Sequence, residues 1–196
     1  MFRTTLKAAP LLFVATTMAL ATGVGSATAQ APAAPNQPQP TVTTAAYENW
    51  VLRCVKSNAE ADKDKPKQCE IIQTIQVQGQ QQPIAQIALG HRPNEEAAML
   101  TAVLPVNVTL PGRVFIATTA VKDQAPTGII ELSWFRCIQG TCFANTQLKD
   151  EDWENLKSAN QNGLIGFVDA SGRKISVPLS WAGFTTAVDA LEKEPK

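Results

Sequence analysis

From Tyr47 onward, apolar residues recur mostly at every second position, the spacing of strands that bury one face and expose the other. Trp50, Leu52 and Cys54 share one face, Ile71, Ile75 and Val77 another, and Val106, Val108 and Leu110 a third. Further strands are predicted over Ile84 to Leu89, Met99 to Leu104, Val114 to Ala120, Ile129 to Ile138, Cys142 to Leu148, Leu164 to Val168 and Lys174 to Leu179. Turn chemistry separates them at Pro111-Gly112 and at Asp169-Ala170-Ser171-Gly172. About nine or ten short strands with such punctuation predict a mainly β domain, an antiparallel β-sandwich of immunoglobulin-like or related type. A closed β-barrel is the alternative.

Two stretches change period. Asp150 is placed to cap a short helix through Asn160, with Glu151, Asp152 and Glu154 early, Lys157 late, and Trp153 and Leu156 on one side. Carboxylates in that position complement a helix N-terminus, which accounts for the cluster without a catalytic or metal-binding role. A second helix is expected over Gly183 to Leu191, where Phe184, Val188 and Leu191 form one stripe.

The N-terminus has a different character. Basic Arg3 and Lys7, the apolar run from Leu11 to Leu20, and small residues ending in Ala27-Thr28-Ala29 have the order of a secretory signal peptide over residues 1–29. A span needs about 20 predominantly apolar residues, and Gly23, Gly25 and Ser26 interrupt this one. No integral membrane segment is therefore expected after cleavage, and no cysteine marks the cleavage site for acylation. Residues 30–46 hold four prolines and no charge, a composition unable to offset its own ordering entropy, and are expected to form a disordered linker. A single domain over 47–191 and a charged tail over 192–196 complete the expected organisation.

Composition narrows the function. The chain has 196 residues, 17 basic and 17 acidic side chains, and 44% hydrophobic residues, enough for one domain. Removing residues 1–29 takes away Arg3 and Lys7 and leaves a net charge of −2, with no basic footprint for nucleic acid and no polybasic membrane patch. No phosphate-binding loop or other cofactor motif is recognisable, so no cofactor is expected.

Four cysteines in an exported chain point first to two disulfides, for which three connectivities exist. Cys54 and Cys69 flank a charged stretch suited to a loop between strands, and Cys137 and Cys142 flank a natural hairpin turn, so local pairing is favoured. The spacing fits neither a zinc knuckle nor the Cys-x2-Cys arrangement of redox enzymes. The loop within the first pair, with Lys56, Asp62, Lys63, Asp64, Lys65 and Lys67, is a candidate for partner contact as well as a solvated connection.

Catalytic supply is thin. The sole histidine, His91, follows a predicted strand and is taken as a loop residue. No serine occupies a Gly-x-Ser-x-Gly elbow; the nearest approach, around Ser180, has Pro178 where the first glycine belongs. Glu95 and Glu96 would diverge on a strand. The four tryptophans, Trp50, Trp134, Trp153 and Trp181, suit a core better than a ligand platform. A small hydrolase assembled from His91 and Ser180 is the enzymatic alternative to a non-enzymatic binding protein, and a purely structural envelope protein is a third.

Several segments taken together resemble the invasion-associated locus B proteins of Gram-negative, mainly alphaproteobacterial, envelopes. They are Trp50-Val51-Leu52-Arg53-Cys54 with Cys69-Glu70-Ile71; Leu104-Pro105-Val106 through Leu110-Pro111-Gly112; Phe135-Arg136-Cys137 with Gly140-Thr141-Cys142-Phe143-Ala144; and Val177-Pro178-Leu179-Ser180-Trp181-Ala182-Gly183-Phe184. Val106-Asn107 and the Thr141 between Gly140 and Cys142 depart from the family's usual pairs. The resemblance, over about residues 47–191, implies an exported β-sandwich-like domain without a cofactor or agreed catalytic residues. It also implies a link to host-cell invasion through some relatives in pathogens. The expected partner is an envelope or host protein, and the expected location is the periplasm, with outer-membrane association or release beyond it.

Secretion should remove Met1 to Ala29. Intact-mass measurement of periplasmic protein is expected to find Gln30 at the start, and a full-length cytoplasmic chain would remove the basis for expecting disulfides.

Overall fold

The computed structural model describes residues 41–56, 64–79, 82–92, 95–160 and 162–195. The signal segment and most of the Pro-rich segment lie outside them. Ten strands follow in order: β1 Thr41–Tyr47, β2 Trp50–Lys56, β3 Gln68–Ile75, β4 Ala85–His91, β5 Ala98–Pro105, β6 Val114–Thr119, β7 Thr127–Ile138, β8 Thr141–Gln147, β9 Gly163–Val168 and β10 Lys174–Leu179. Helix α1, Asp150–Lys157, lies between β8 and β9, and α2, Phe184–Leu191, follows β10.

All the strand pairings are antiparallel, in the spatial order β1-β2-β3-β4-β5-β8-β7-β6-β9-β10, so the mainly β expectation holds as one open sheet and not a closed barrel. The layers come from β7. Its first half, through Leu132, pairs with β6, and its second half, from Ser133, pairs with β8. One strand thus serves two portions of sheet, and a single core draws side chains from both. Ile71, Ile87, Leu89 and Leu100 from one portion and Val114, Ile116, Ile165 and Leu179 from the other are almost wholly buried.

The two portions are fastened around Ser180, just after β10. The buried Gln73 side chain of β3 donates from Nε2 to the Ser180 carbonyl at 2.7 Å and accepts the Ser180 amide at 3.0 Å, as a neighbouring strand's backbone would. Trp50 Nε1 donates to the same carbonyl at 3.0 Å, and Trp181 Nε1 donates to the Thr118 carbonyl of β6 at 2.8 Å. The rings of Trp50 and Trp181 stack at 5.9 Å, and Phe184 meets both edge-on at 4.9 and 5.1 Å. Gly183 makes the turn into α2 at φ 82°, with its ideal Cβ position only 2.0 Å from the Tyr47 carbonyl, so both backbone sign and space demand glycine. As the sequence pattern predicts, Phe184, Val188 and Leu191 of α2 are buried.

Several boundaries differ from the sequence reading. Strand β1 occupies 41–47, although 41–46 had the composition of a disordered linker; seven backbone pairs to β2 order a segment that buries almost nothing. Val106 to Leu110 is not a strand: only Val108 makes a bridge, to Asp169, while Val106 and Leu110 are exposed and Pro111-Gly112 closes a turn. Val77 lies beyond β3 and is exposed. The first helix is capped at Lys149, whose amide donates to Asp152, and ends at Lys157 once Leu156 has been buried.

Both bridges are local, Cys54 to Cys69 and Cys137 to Cys142, each joining residues directly opposite on adjacent strands. Replacing both Cys54 and Cys69 by Ala should cost about 2–5 kcal/mol in urea unfolding, more than the equivalent change at the shorter loop. Free thiols or a Cys54 to Cys137 link in periplasmic material would contradict this.

The β9–β10 turn is organised by buried Asp169. Its Oδ1 accepts from the Ser171 hydroxyl at 2.7 Å and from the Ser171 and Arg173 amides at 2.9 Å, while Oδ2 accepts from Arg173 Nε at 2.8 Å. The Ser171 hydroxyl, then the Arg173 amide, hold the carboxyl well below the usual carboxylate range. A depressed folded-state pKa stabilises above the unfolded value of about 3.9 and ceases to do so as pH falls through the folded value. Asp169→Asn should therefore lower the melting temperature at pH 7, with the deficit shrinking as pH falls below about 4. A deficit independent of pH down to acid unfolding would contradict this.

Candidate functional site

On the side of the sheet away from the core, β2, β3, β4, β5, β8 and the end of β7 enclose a groove of about 340 Å³. Its floor is made of small or unbranched side chains, Ala88, Met99 and Thr101, together with Gly90. Gly90 sits in the register opposite Glu70, where an added Cβ would come within 2.9 Å of the Cys69 carbonyl and 3.0 Å of Glu70 Cβ. A side chain there would separate β3 from β4 and fill the groove.

The wall from β7 depends on an irregularity. The register slips between Trp134 and Arg136, a β-bulge, so Trp134 opposes Ala144 while Arg136 opposes Phe143. Trp134 points toward the core side and donates to the Gly112 carbonyl at 2.7 Å, and the extra residue leaves both Phe135 and Arg136 on the groove. Phe135 is 60% exposed. The Arg136 guanidinium lies 5.2 Å from the Phe135 ring centre and 5.8 Å from that of Phe143, within cation–π range. Among the described residues it has no carboxylate partner, whereas Glu70, on the opposite wall, is held by Arg53. A guanidinium that no described carboxylate neutralises, beside exposed aromatic surface, can take an anionic group and an apolar one together.

His91 is not in a loop. It closes β4, paired with Ala98, and lines the end of the groove nearest Arg92. Ser180 belongs to the fastening between sheet portions: its hydroxyl accepts from Asn49 Nδ2 at 2.7 Å, and it lines other hollows. The fold does not bring these two residues to one hollow. The Cys54 and Cys69 sulfurs and a Glu194 carboxylate oxygen lie within 4.8 Å of one another, but bridged sulfurs are not the thiolates that bind zinc.

In the charged loop, Asp62 and Lys63 lie outside the described residues. Lys56 ends β2, Asp64 and Lys65 are exposed, and Lys67 pairs with Glu194 at 2.5 Å, tying the loop to the C-terminal segment. Phe135 and Arg136 were not singled out as a site by sequence reasoning. The signal was a parity conflict: Trp134 faces inward at an even position, and Cys137 must share a face with Cys142, which requires one extra residue between them.

The sequence model of the invasion associated locus B (IalB) family matches residues 50–192. The chain belongs to that family. The crystal structure of invasion associated protein B from Bartonella henselae is similar in fold, with a TM-score of 0.58 over 76% of this chain and 96% of that one, at 14% identity. No curated protein matches the chain in sequence. Among the described residues of this IalB-family chain, no helix is long and apolar enough to cross a membrane.

Proposed function

We propose that this IalB-family chain is an exported, non-enzymatic interaction module of the Gram-negative envelope that holds a protein partner in the groove beside Arg136. The observation that carries this reading is the bulge-presented pair Phe135 and Arg136: an exposed ring and a cation without an acidic partner among the described residues, mounted on a wall braced by the Cys137–Cys142 bridge. Rigid aromatic and Arg side chains are the residue types that most often anchor protein interfaces. Export is supported by the two bridges and by family membership, and the periplasm is the proposed location. The partner is an envelope or host protein with an acidic group next to an apolar side chain. The name of the Bartonella relative suggests that this contact serves invasion.

The hydrolase reading loses support because His91 and Ser180 line different hollows. A photo-crosslinking amino acid at position 135, in the producing bacterium, should capture a discrete envelope or host product, and the same probe at exposed Lys174 should not. Arg136→Glu should lower that yield about tenfold, the loss of roughly 1.4 kcal/mol of binding. The same crosslinker at Asp64 tests the charged loop as a second contact. Absence of a product at 135, or a hydrolytic activity lost in folded Ser180→Ala or His91→Ala protein, would overturn the proposal.

A further inference from the structure

The two edges of the sheet are treated differently. Edge strand β10 carries Pro178, which has no amide hydrogen to donate, and begins at exposed Lys174; both features discourage another strand from adding there. Edge strand β1 has neither device. Its sequence, Thr41-Val42-Thr43-Thr44-Ala45-Ala46-Tyr47, contains no charge, proline or glycine, and it pairs with β2 without a bulge. Thr41 to Ala46 are exposed on both faces, with Val42 51% exposed. Among the described residues no strand pairs along its outer side.

An unblunted neutral edge is a template for another strand. Pairing β1 of one molecule with β10 of another would be head-to-tail and would build a ring or a filament, but Pro178 opposes it. Pairing β1 with a second β1 in antiparallel sense uses the same surface twice and closes at two. Centred on Thr44, this arrangement sets Val42 opposite Ala46 and Thr43 opposite Ala45 across the seam, with no like charges facing each other. A charged foreign segment would find nothing on this edge to select it. We propose that two copies of this chain associate through β1, joining their sheets into one continuous sheet around a two-fold axis. The seam, Val42 to Ala46, is only five residues long, about 17 Å at strand spacing, so the dimer is weak and dissociates at roughly micromolar concentrations.

Sedimentation equilibrium of protein purified from the periplasm, from about 1 to 300 μM, should show the mass rising from one chain to two and no further. Thr44→Lys and Thr44→Glu should each weaken association about tenfold by placing like charges across the seam, and an equimolar mixture of the two should restore it. Thr44 lies opposite Arg53 of β2, so the Glu variant keeps β1 in place even where the Lys variant loosens it. Near-ultraviolet circular dichroism of each variant confirms the fold. A wild-type chain monomeric throughout the range, assembly beyond two, unchanged association in both variants, or no recovery in the mixture would overturn the proposal.

Discussion

The architecture depends on one residue's backbone being held by three hydrogen bonds from two side chains. Ser180 exchanges two hydrogen bonds with the Gln73 side chain and accepts a third from Trp50, while the adjacent Trp181 stacks on Trp50 and reaches the Thr118 carbonyl. A sheet of ten strands is bent enough to bring its portions face to face but does not zip shut. A buried amide that pairs with backbone, and a dry aromatic cluster beside it, fasten them instead. The Trp50, Gln73 and Trp181 side chains are buried, and their polar groups are therefore costly to leave unsatisfied, so the cluster specifies one arrangement of the two portions.

With that fastening in place, the core lies between the portions, and the groove lies on the outer face of the larger one. Chain placement follows from this division. Inward positions carry most of the branched aliphatic side chains, whereas the groove floor carries Ala88, Gly90, Thr101 and the unbranched Met99, residues that leave space. The Cys137–Cys142 bridge and the neighbouring bulge brace the wall where Phe135 and Arg136 stand. Pre-ordering of such side chains lowers the entropy lost on binding, which is the advantage that the proposed interaction module would draw from this wall.

Asp169 shows the same economy in a turn. One buried carboxylate accepts three hydrogen bonds at Oδ1 and the Arg173 side chain at Oδ2, aligning β9 with β10. It also carries the isolated bridge to Val108, which anchors a segment whose alternating apolar residues otherwise suggest a strand. There, pairing with the end of β9 is confined to that one bridge and its flanking backbone bonds, so the alternation is not carried into a strand, and Val106 and Leu110 are left in solvent.

The strand periods, both helices, the inward stripe of α2, the Asp169 turn and the favoured local cysteine pairs were legible in the sequence, because each rests on contacts between residues near in the chain. Family resemblance was legible because its motifs surround those same features. Strand β1 was hidden, since its stability comes from seven backbone pairs to β2 and not from side chains that a composition reveals. His91 looked like a loop residue because β4 extends to pair with Ala98, a partner the local pattern does not announce. The groove, the joint exposure of Phe135 and Arg136, and the separation of His91 from Ser180 were decided by tertiary structure alone. Side-chain periodicity tells which face of a strand is apolar, but only the order of strands and the bend at β7 tell which residues meet.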